Sequence, residues 1–122
     1  MYTMDNNCTV YITIDFISKK WSLLILLEIY KSPEGKKRYS EIKNNLLDIT
    51  PKVLSARLKE LEKEGLITKH VDASSFPVKS EYELTKIGID FISIIKDIKN
   101  WALRWKIDNK VCEQLDCKNC DL

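Results

Sequence analysis

Three cysteines crowd the end of the chain in the spacing Cys112-x4-Cys117-x2-Cys120, and a fourth, Cys8, stands near its start. Thiolates at this spacing can converge on one ion, as in tetrahedral zinc or an iron–sulfur cluster, with a fourth ligand from Cys8, His70 or a second subunit. They can equally pair as redox disulfides, or the tail can be inert, and the residue types leave these readings open. Without a secretory context, four cysteines point to metal or redox chemistry before structural disulfides. No cofactor is otherwise required. Cys8 falls where a first helix would begin, and a helix N-terminus lowers a thiol pKa, although a small buried hydrophobe would also suit that place.

Catalysis is not expected. The sequence has no glycine-rich phosphate loop and no His-x-x-x-His pair, and its one histidine, His70, stands far from any serine or aspartate arrangement that would make a triad. As a ligand, His70 is less plausible than as an exposed residue of a strand pair.

A different chemistry sits on the segment from Thr50. Thr50-Pro51 is a helix cap followed by proline at the first helical position, and Gly65 closes the run, so Pro51–Glu64 reads as a helix. Val53, Leu54, Leu58 and Leu61 fall on one side of its wheel, leaving Lys52, Ser55, Ala56 and Lys59 opposite. Small Ser55 and Ala56 permit close approach to base edges. Lys52 and Lys59 can reach guanine or phosphate, and the free N–H groups at Thr50-Pro51 suit a phosphate. The same face is also what any solvated helix presents, and Glu60, Glu62 and Glu64 would repel DNA. Arg57, on the inner edge, suits an ion pair or a phosphate equally.

The surrounding elements decide whether that face can be used. Val10, Ile14 and Ile17 give a first helix, and Lys20–Lys31 is apolar nearly all round, a central core helix ended by Pro33-Glu34-Gly35. Lys36-Lys-Arg-Tyr39 is too short to stand alone. Ser40 then caps a short third helix carrying Ile42 and Leu46. After Gly65 the period falls to two, so Leu66–Val71 and Lys79–Leu84 form an antiparallel hairpin around the loop Asp72–Val78. Thr85 caps a long helix to about Ile107. The polar tail from Asp108 shows no period and is expected to be irregular, or ordered by what its cysteines bind.

Helix, turn, capped helix and hairpin is the order of a winged helix-turn-helix, in which the second helix of the pair enters the major groove. The expected fold is therefore mainly α with a small β hairpin, one DNA-binding and dimerisation unit over residues 1–107 and a cysteine-containing tail over 108–122. Lys69, His70 and Lys79 flank the hairpin tip Ala73-Ser-Ser-Phe-Pro77, where they can grip phosphate or the minor groove. Phe91, Ile94, Ile98, Trp101 and Trp105 give the last helix more apolar face than a small domain covers internally, which marks a partner surface.

Bulk composition limits the remainder. The 122 residues suit one domain, and twenty basic against eighteen acidic residues leave a net charge of only +2. The distribution is uneven: Lys36–Lys69 carries nine basic and five acidic residues, the tail from Asp108 two and four. The longest apolar stretch, Trp21 to Tyr30, is interrupted by Ser22 and Glu28 and is far short of the roughly 20 residues that span a bilayer. Met1–Asn7 has neither a basic n-region nor an apolar h-region, so no secretory signal is expected and a cytoplasmic location is.

The ordered set Cys8…Lys20-Trp21-Ser-Leu-Leu-Ile25-Leu, Arg38-Tyr39-Ser-Glu-Ile42, Thr50-Pro-Lys-Val-Leu54-Ser-Ala-Arg57-Leu-Lys-Glu-Leu61-Glu-Lys-Glu-Gly65-Leu, Pro77…Glu81-Tyr82, Leu84-Thr85…Gly88 and Trp101 resembles the HxlR family, winged-helix transcription regulators related to the MarR group. The match spans about Cys8 to Trp105. It departs from the family where glycines usual before Lys-Trp are Ser18 and Lys19, and where a common proline is Thr9; neither touches the reading helix. The resemblance implies a homodimer joined through the N- and C-terminal helices, binding double-stranded DNA at an inverted repeat. It implies repression by promoter occupancy, with activation in some members. It also implies a sensing role for Cys8, whose counterpart in redox- or electrophile-sensing relatives forms an intersubunit disulfide with a C-terminal cysteine; Cys112, Cys117 and Cys120 are the candidates here. A winged helix that mediates protein contacts without specific DNA binding is the alternative, distinguished by a shallow salt dependence.

Overall fold

The structure is a computed structural model that describes residues 8–74 and 76–120. The expectations placed on Met1–Asn7, and on Ser75 within the hairpin tip, lie outside the described residues.

The elements run α1 (Thr9–Ile17), α2 (Ser22–Lys31), β1 (Lys36–Arg38), α3 (Tyr39–Asn45), α4 (Pro51–Lys63), β2 (Ile67–Asp72), β3 (Lys79–Leu84), α5 (Lys86–Trp105) and α6 (Lys110–Gln114), with a 3-10 turn at Cys117–Asn119. This is a winged helix-turn-helix, mostly helical with one small antiparallel sheet. The core forms around α2, whose Ile25, Leu26 and Ile29 are fully buried against Ile42 of α3, Leu54, Leu58 and Leu61 of α4, and Ile92 and Ile95 of α5. The central helix is thus apolar on most sides because it has neighbours on most sides. It begins at Ser22 rather than Lys20, because Trp21 takes a left-handed conformation with φ 88°. The Trp21 ring packs on the core in return, with the Lys20 ammonium 5.0 Å from its centroid.

The sequence reading needs correction at three places in the fold. The wing is a three-stranded sheet in the order β1-β3-β2, not a two-stranded hairpin. Lys36, Lys37 and Arg38 pair with Glu83, Tyr82 and Glu81. Three basic residues carry no local strand signal, and β1 exists because β3 offers it a free edge. Second, Ser40 does not cap α3. The helix begins at Tyr39, and the Glu41 carboxylate accepts from the Arg38 backbone N–H at 3.0 Å.

Third, the described part of the tail, residues 108–120, is not irregular. It folds into α6 and the 3-10 turn and lies back on the body through Lys96, Lys99 and Lys118. Lys118 Nζ donates to the carbonyls of Tyr30 at 2.7 Å and Ser32 at 3.1 Å, groups that the end of α2 leaves without helical partners. Lys96 of α5 pairs with Asp116 at 2.7 Å and donates to the Tyr30 hydroxyl at 3.0 Å. These bonds hold the Lys96 ammonium above its usual range and the Asp116 carboxyl below its own.

Where wing and α5 meet, Gly88 leaves no room for a side chain: a Cβ there would stand 2.1 Å from the Leu66 carbonyl oxygen. Thr85 caps α5, accepting from the Gly88 N–H at 3.1 Å and donating to the Gly65 carbonyl at 2.6 Å.

Candidate nucleic-acid interface

Local chemistry fixes the start of α4. Thr50 Oγ1 accepts from the Val53 N–H at 3.2 Å and Pro51 occupies the first helical position. Leu54, Leu58 and Leu61 are buried and Val53 leans on the core, so the helix can turn only one way, leaving Lys52, Ser55, Ala56 and Lys59 in solvent on the opposite face. Thr50 and Pro51 are exposed beside them. Tyr39 of α3 sets the angle between the helices, its hydroxyl 3.4 Å from the Pro51 carbonyl and 3.5 Å from Ser55 Oγ.

The carboxylates of α4 are less obstructive than the sequence suggests. Glu60 accepts from Lys19 at 2.6 Å and from Arg57 at 3.0 Å. The Lys19 hydrogen bond, opposed by partial burial and reinforced by the two positive charges, holds the Glu60 carboxyl below its ordinary range. Arg57 therefore makes an internal ion pair, and the acidic residues left open on α4 are Glu62 and Glu64, at its C-terminal end away from the cap.

The wing separates residues that the sequence groups together. Strand register puts Thr68, His70 and Asp72 on one face with Lys79, Glu81 and Glu83, and with Lys36 and Arg38 of β1. Positive and negative side chains alternate there, and His70 Nε2 lies 3.0 Å from Glu83 Oε1. Lys69 projects from the other face, opposite Tyr82. Lys79 meets Arg38 instead, across a shallow cleft of about 350 Å³ between the start of α3 and the end of the loop at Pro77. Arg38 is a cation that the sequence reading passes over. Its signal is the run Lys36-Lys-Arg38, whose place beside the wing follows only from β1 pairing.

Apolar surface is left open at both ends of the chain. Ile17 is the one buried residue of α1, with Val10 at 64% and Ile14 at 49% exposure. On α5, Ile94, Ile98, Trp101 and Trp105 are 45 to 66% exposed, while Phe91 is half-buried against the core. Cys8 is the N-cap of α1, its Sγ accepting from the Tyr11 N–H at 3.4 Å. Cys112, Cys117 and Cys120 are half-buried, and among the described residues no three Cys, His, Asp or Glu side chains are gathered as a metal site. Among the described residues no helix is long and apolar enough to cross a membrane.

The family model described as HxlR-like helix-turn-helix matches residues 16–110. Over 92 residues the chain is 39% identical to the uncharacterized HTH-type transcriptional regulator YvaP of Bacillus subtilis (strain 168), spanning 75% of this chain and 82% of that protein. A solved structure described as a MarR-family transcriptional regulator, from Porphyromonas gingivalis W83, superposes with a TM-score of 0.73 at 30% identity, covering 86% of this chain and 99% of the other. The redox regulator HypR, in its oxidized form, gives a TM-score of 0.66 at 33% identity, covering 82% of this chain and 99% of the other.

Proposed function

Because this chain belongs to the HxlR-like helix-turn-helix family, whose relatives are transcriptional regulators and not enzymes, we propose that it works in the cytoplasm as a homodimeric repressor of an inverted-repeat operator. In this reading Lys52, Ser55, Ala56 and Lys59 meet base edges in the major groove, and the cap at Thr50-Pro51 holds a phosphate. Lys69 and Lys79 approach the DNA backbone from the wing, Lys79 together with Arg38, while His70 contributes through its pairing with Glu83.

The observation that carries the reading is the exposed face of α4: it is small and basic where it would meet bases, and Glu60 at its flank is neutralised by Lys19 and Arg57. Dimerisation is supported by α1. A helix of nine residues with a single buried side chain lacks the packing that holds a short helix in water. Val10 and Ile14, with Ile94, Ile98, Trp101 and Trp105 of α5, supply the apolar surface that a second copy would cover. Two such subunits would set their reading helices roughly 34 Å apart, one turn of DNA.

Redox control through Cys8 is a further part of the proposal. Its Sγ accepts from the Tyr11 N–H at the start of α1, and a similar structure is that of a redox regulator. Metal analysis of the purified protein tests the separate reading of Cys112, Cys117 and Cys120 as zinc or iron–sulfur ligands.

The deciding experiment selects fragments of the source genome with the purified protein, in parallel under reducing and oxidising conditions. Enrichment of an inverted repeat supports a dimeric regulator, and its loss on oxidation makes thiols the sensor. Absence of enrichment in both conditions overturns the reading in favour of a protein-interaction module.

A further inference from the structure

Beyond the last pair of the wing strands, Asp72 with Lys79, the chain turns through residues 73–78. That stretch of sequence carries no charged residue. Phe76 within it is 100% exposed, more than any other large apolar side chain among the described residues, and Pro77 and Val78 beside it are exposed as well. From this placement, and resting on the DNA-binding reading above, we infer that Phe76 is a wedge that enters a base step in the minor groove and kinks the operator.

The fold gains nothing from this ring. A phenylalanine left wholly in water forgoes the free energy of burial, and the turn is built by other groups: the Asp72 carboxylate accepts from the Ser74 backbone N–H at 3.1 Å and from the Ser74 hydroxyl. A polar residue at position 76 would serve the monomer as well, so the ring is explained by what covers it.

Continuity and charge select DNA as the cover. Tyr39, whose hydroxyl stands 3.4 Å from the Pro51 carbonyl and 3.5 Å from Ser55 Oγ, also lines the cleft at the root of the wing with Arg38, Pro77 and Lys79. One side chain therefore joins the exposed face of α4 to the root of the loop that carries Phe76. The cations Arg38 and Lys79 stand at that root, while Glu81 and Glu83 follow further back along β3. Ala73 and Ser74 make the tip small and uncharged. Basic groups behind an apolar tip match a groove about 6 Å wide whose two edges are phosphates. Phenylalanine and proline are also the residue types that unstack base steps from the minor-groove side, and pyrimidine–purine steps yield most easily.

The test uses the full-length protein on the inverted repeat that it selects, with the bend read by energy transfer between the DNA ends and unstacking read by 2-aminopurine placed at successive steps. Wild type is expected to bend the operator by at least about 20° and to brighten 2-aminopurine at one step in each half-site. Phe76→Ala is expected to lose both signals and to bind about fivefold more weakly, with its thermal melt and the salt dependence of binding unchanged, since no phosphate contact is removed. Phe76→Leu should restore the bend. Specific binding of wild type to unbent DNA would overturn the wedge alone, and so would Phe76→Ala bending the operator as wild type does. A change in oligomeric state of Phe76→Ala without DNA would overturn it in favour of a second copy covering the ring. A wild type that selects no DNA would overturn the DNA-binding reading and this inference with it.

Discussion

Lys19, in the turn after α1, donates to Glu60 of α4 at 2.6 Å across forty-one positions of sequence, and the same carboxylate accepts from Arg57. The turn after α1 is thereby tied to the helix proposed to face DNA. The pair is partly exposed, so Glu60→Gln is expected to cost no more than about 1 kcal/mol in urea denaturation. Since the Glu60 carboxyl titrates below its ordinary range, the contribution is fully present above the unfolded-state pKa near 4.5 and is lost as pH falls through the lower folded value. Wild type and E60Q should therefore converge in stability at acid pH; a constant difference down to the acid limit would assign the effect to packing.

Ser55 stands at the centre of the exposed face of α4, 3.5 Å from the Tyr39 hydroxyl. Ser55→Asp puts a negative charge where bases are expected and should abolish operator binding in a mobility-shift assay while leaving the dimer and the thermal melt nearly unchanged. Retention of sequence-specific binding would move the reading surface off α4.

Trp101 and Trp105 are 54% and 66% exposed on α5. Replacing both with Glu is expected to convert the dimer to a folded monomer by sedimentation and to weaken operator binding at least a hundredfold, because each half-site is then bound alone. A monomeric wild type would count against the proposed interface before any mutant is made.

At Gly88 the helix backbone approaches the Leu66 carbonyl so closely that a Cβ has no place. Gly88→Ala must push α5 away from the wing, and a loss of about 1–3 kcal/mol is expected in chemical denaturation, despite alanine being the better helix former. A stabilised variant would show that the wing and α5 can separate freely.

The tail should release in acid. The Asp116 carboxyl is held below its ordinary range chiefly by Lys96, so docking is complete above the free aspartate pKa near 3.8 and weakens as pH drops through the depressed value. Hydrogen exchange at α6 would rise at that pH in wild type. In Asp116→Asn it would be faster already at neutral pH.

Much of this molecule is written locally. Thr50-Pro51 and Thr85 start α4 and α5 because a hydroxyl before a periodic run satisfies free N–H groups wherever it occurs. The spacing of Leu54, Leu58 and Leu61 sets which face of α4 is buried, and with it the exposure of Lys52, Ser55, Ala56 and Lys59. Those features need only neighbours within a few residues. Other features need partners far along the chain. β1 is three basic residues until β3 pairs with them, and only that pairing brings Arg38 to Lys79. The face on which His70 or Lys69 lies depends on strand register, and Arg57 is committed to Glu60, which Lys19 also holds.

The sequence by itself determined the order of the five main helices and the β2-β3 hairpin, the buried face of α4 and the family, since periodicity and capping are properties of short segments. Tertiary structure alone decided that the tail docks on α2. Lys118 reaches the Tyr30 and Ser32 carbonyls across more than eighty positions, and a contact between one flexible ammonium and two helix-end carbonyls leaves no periodic trace in either segment.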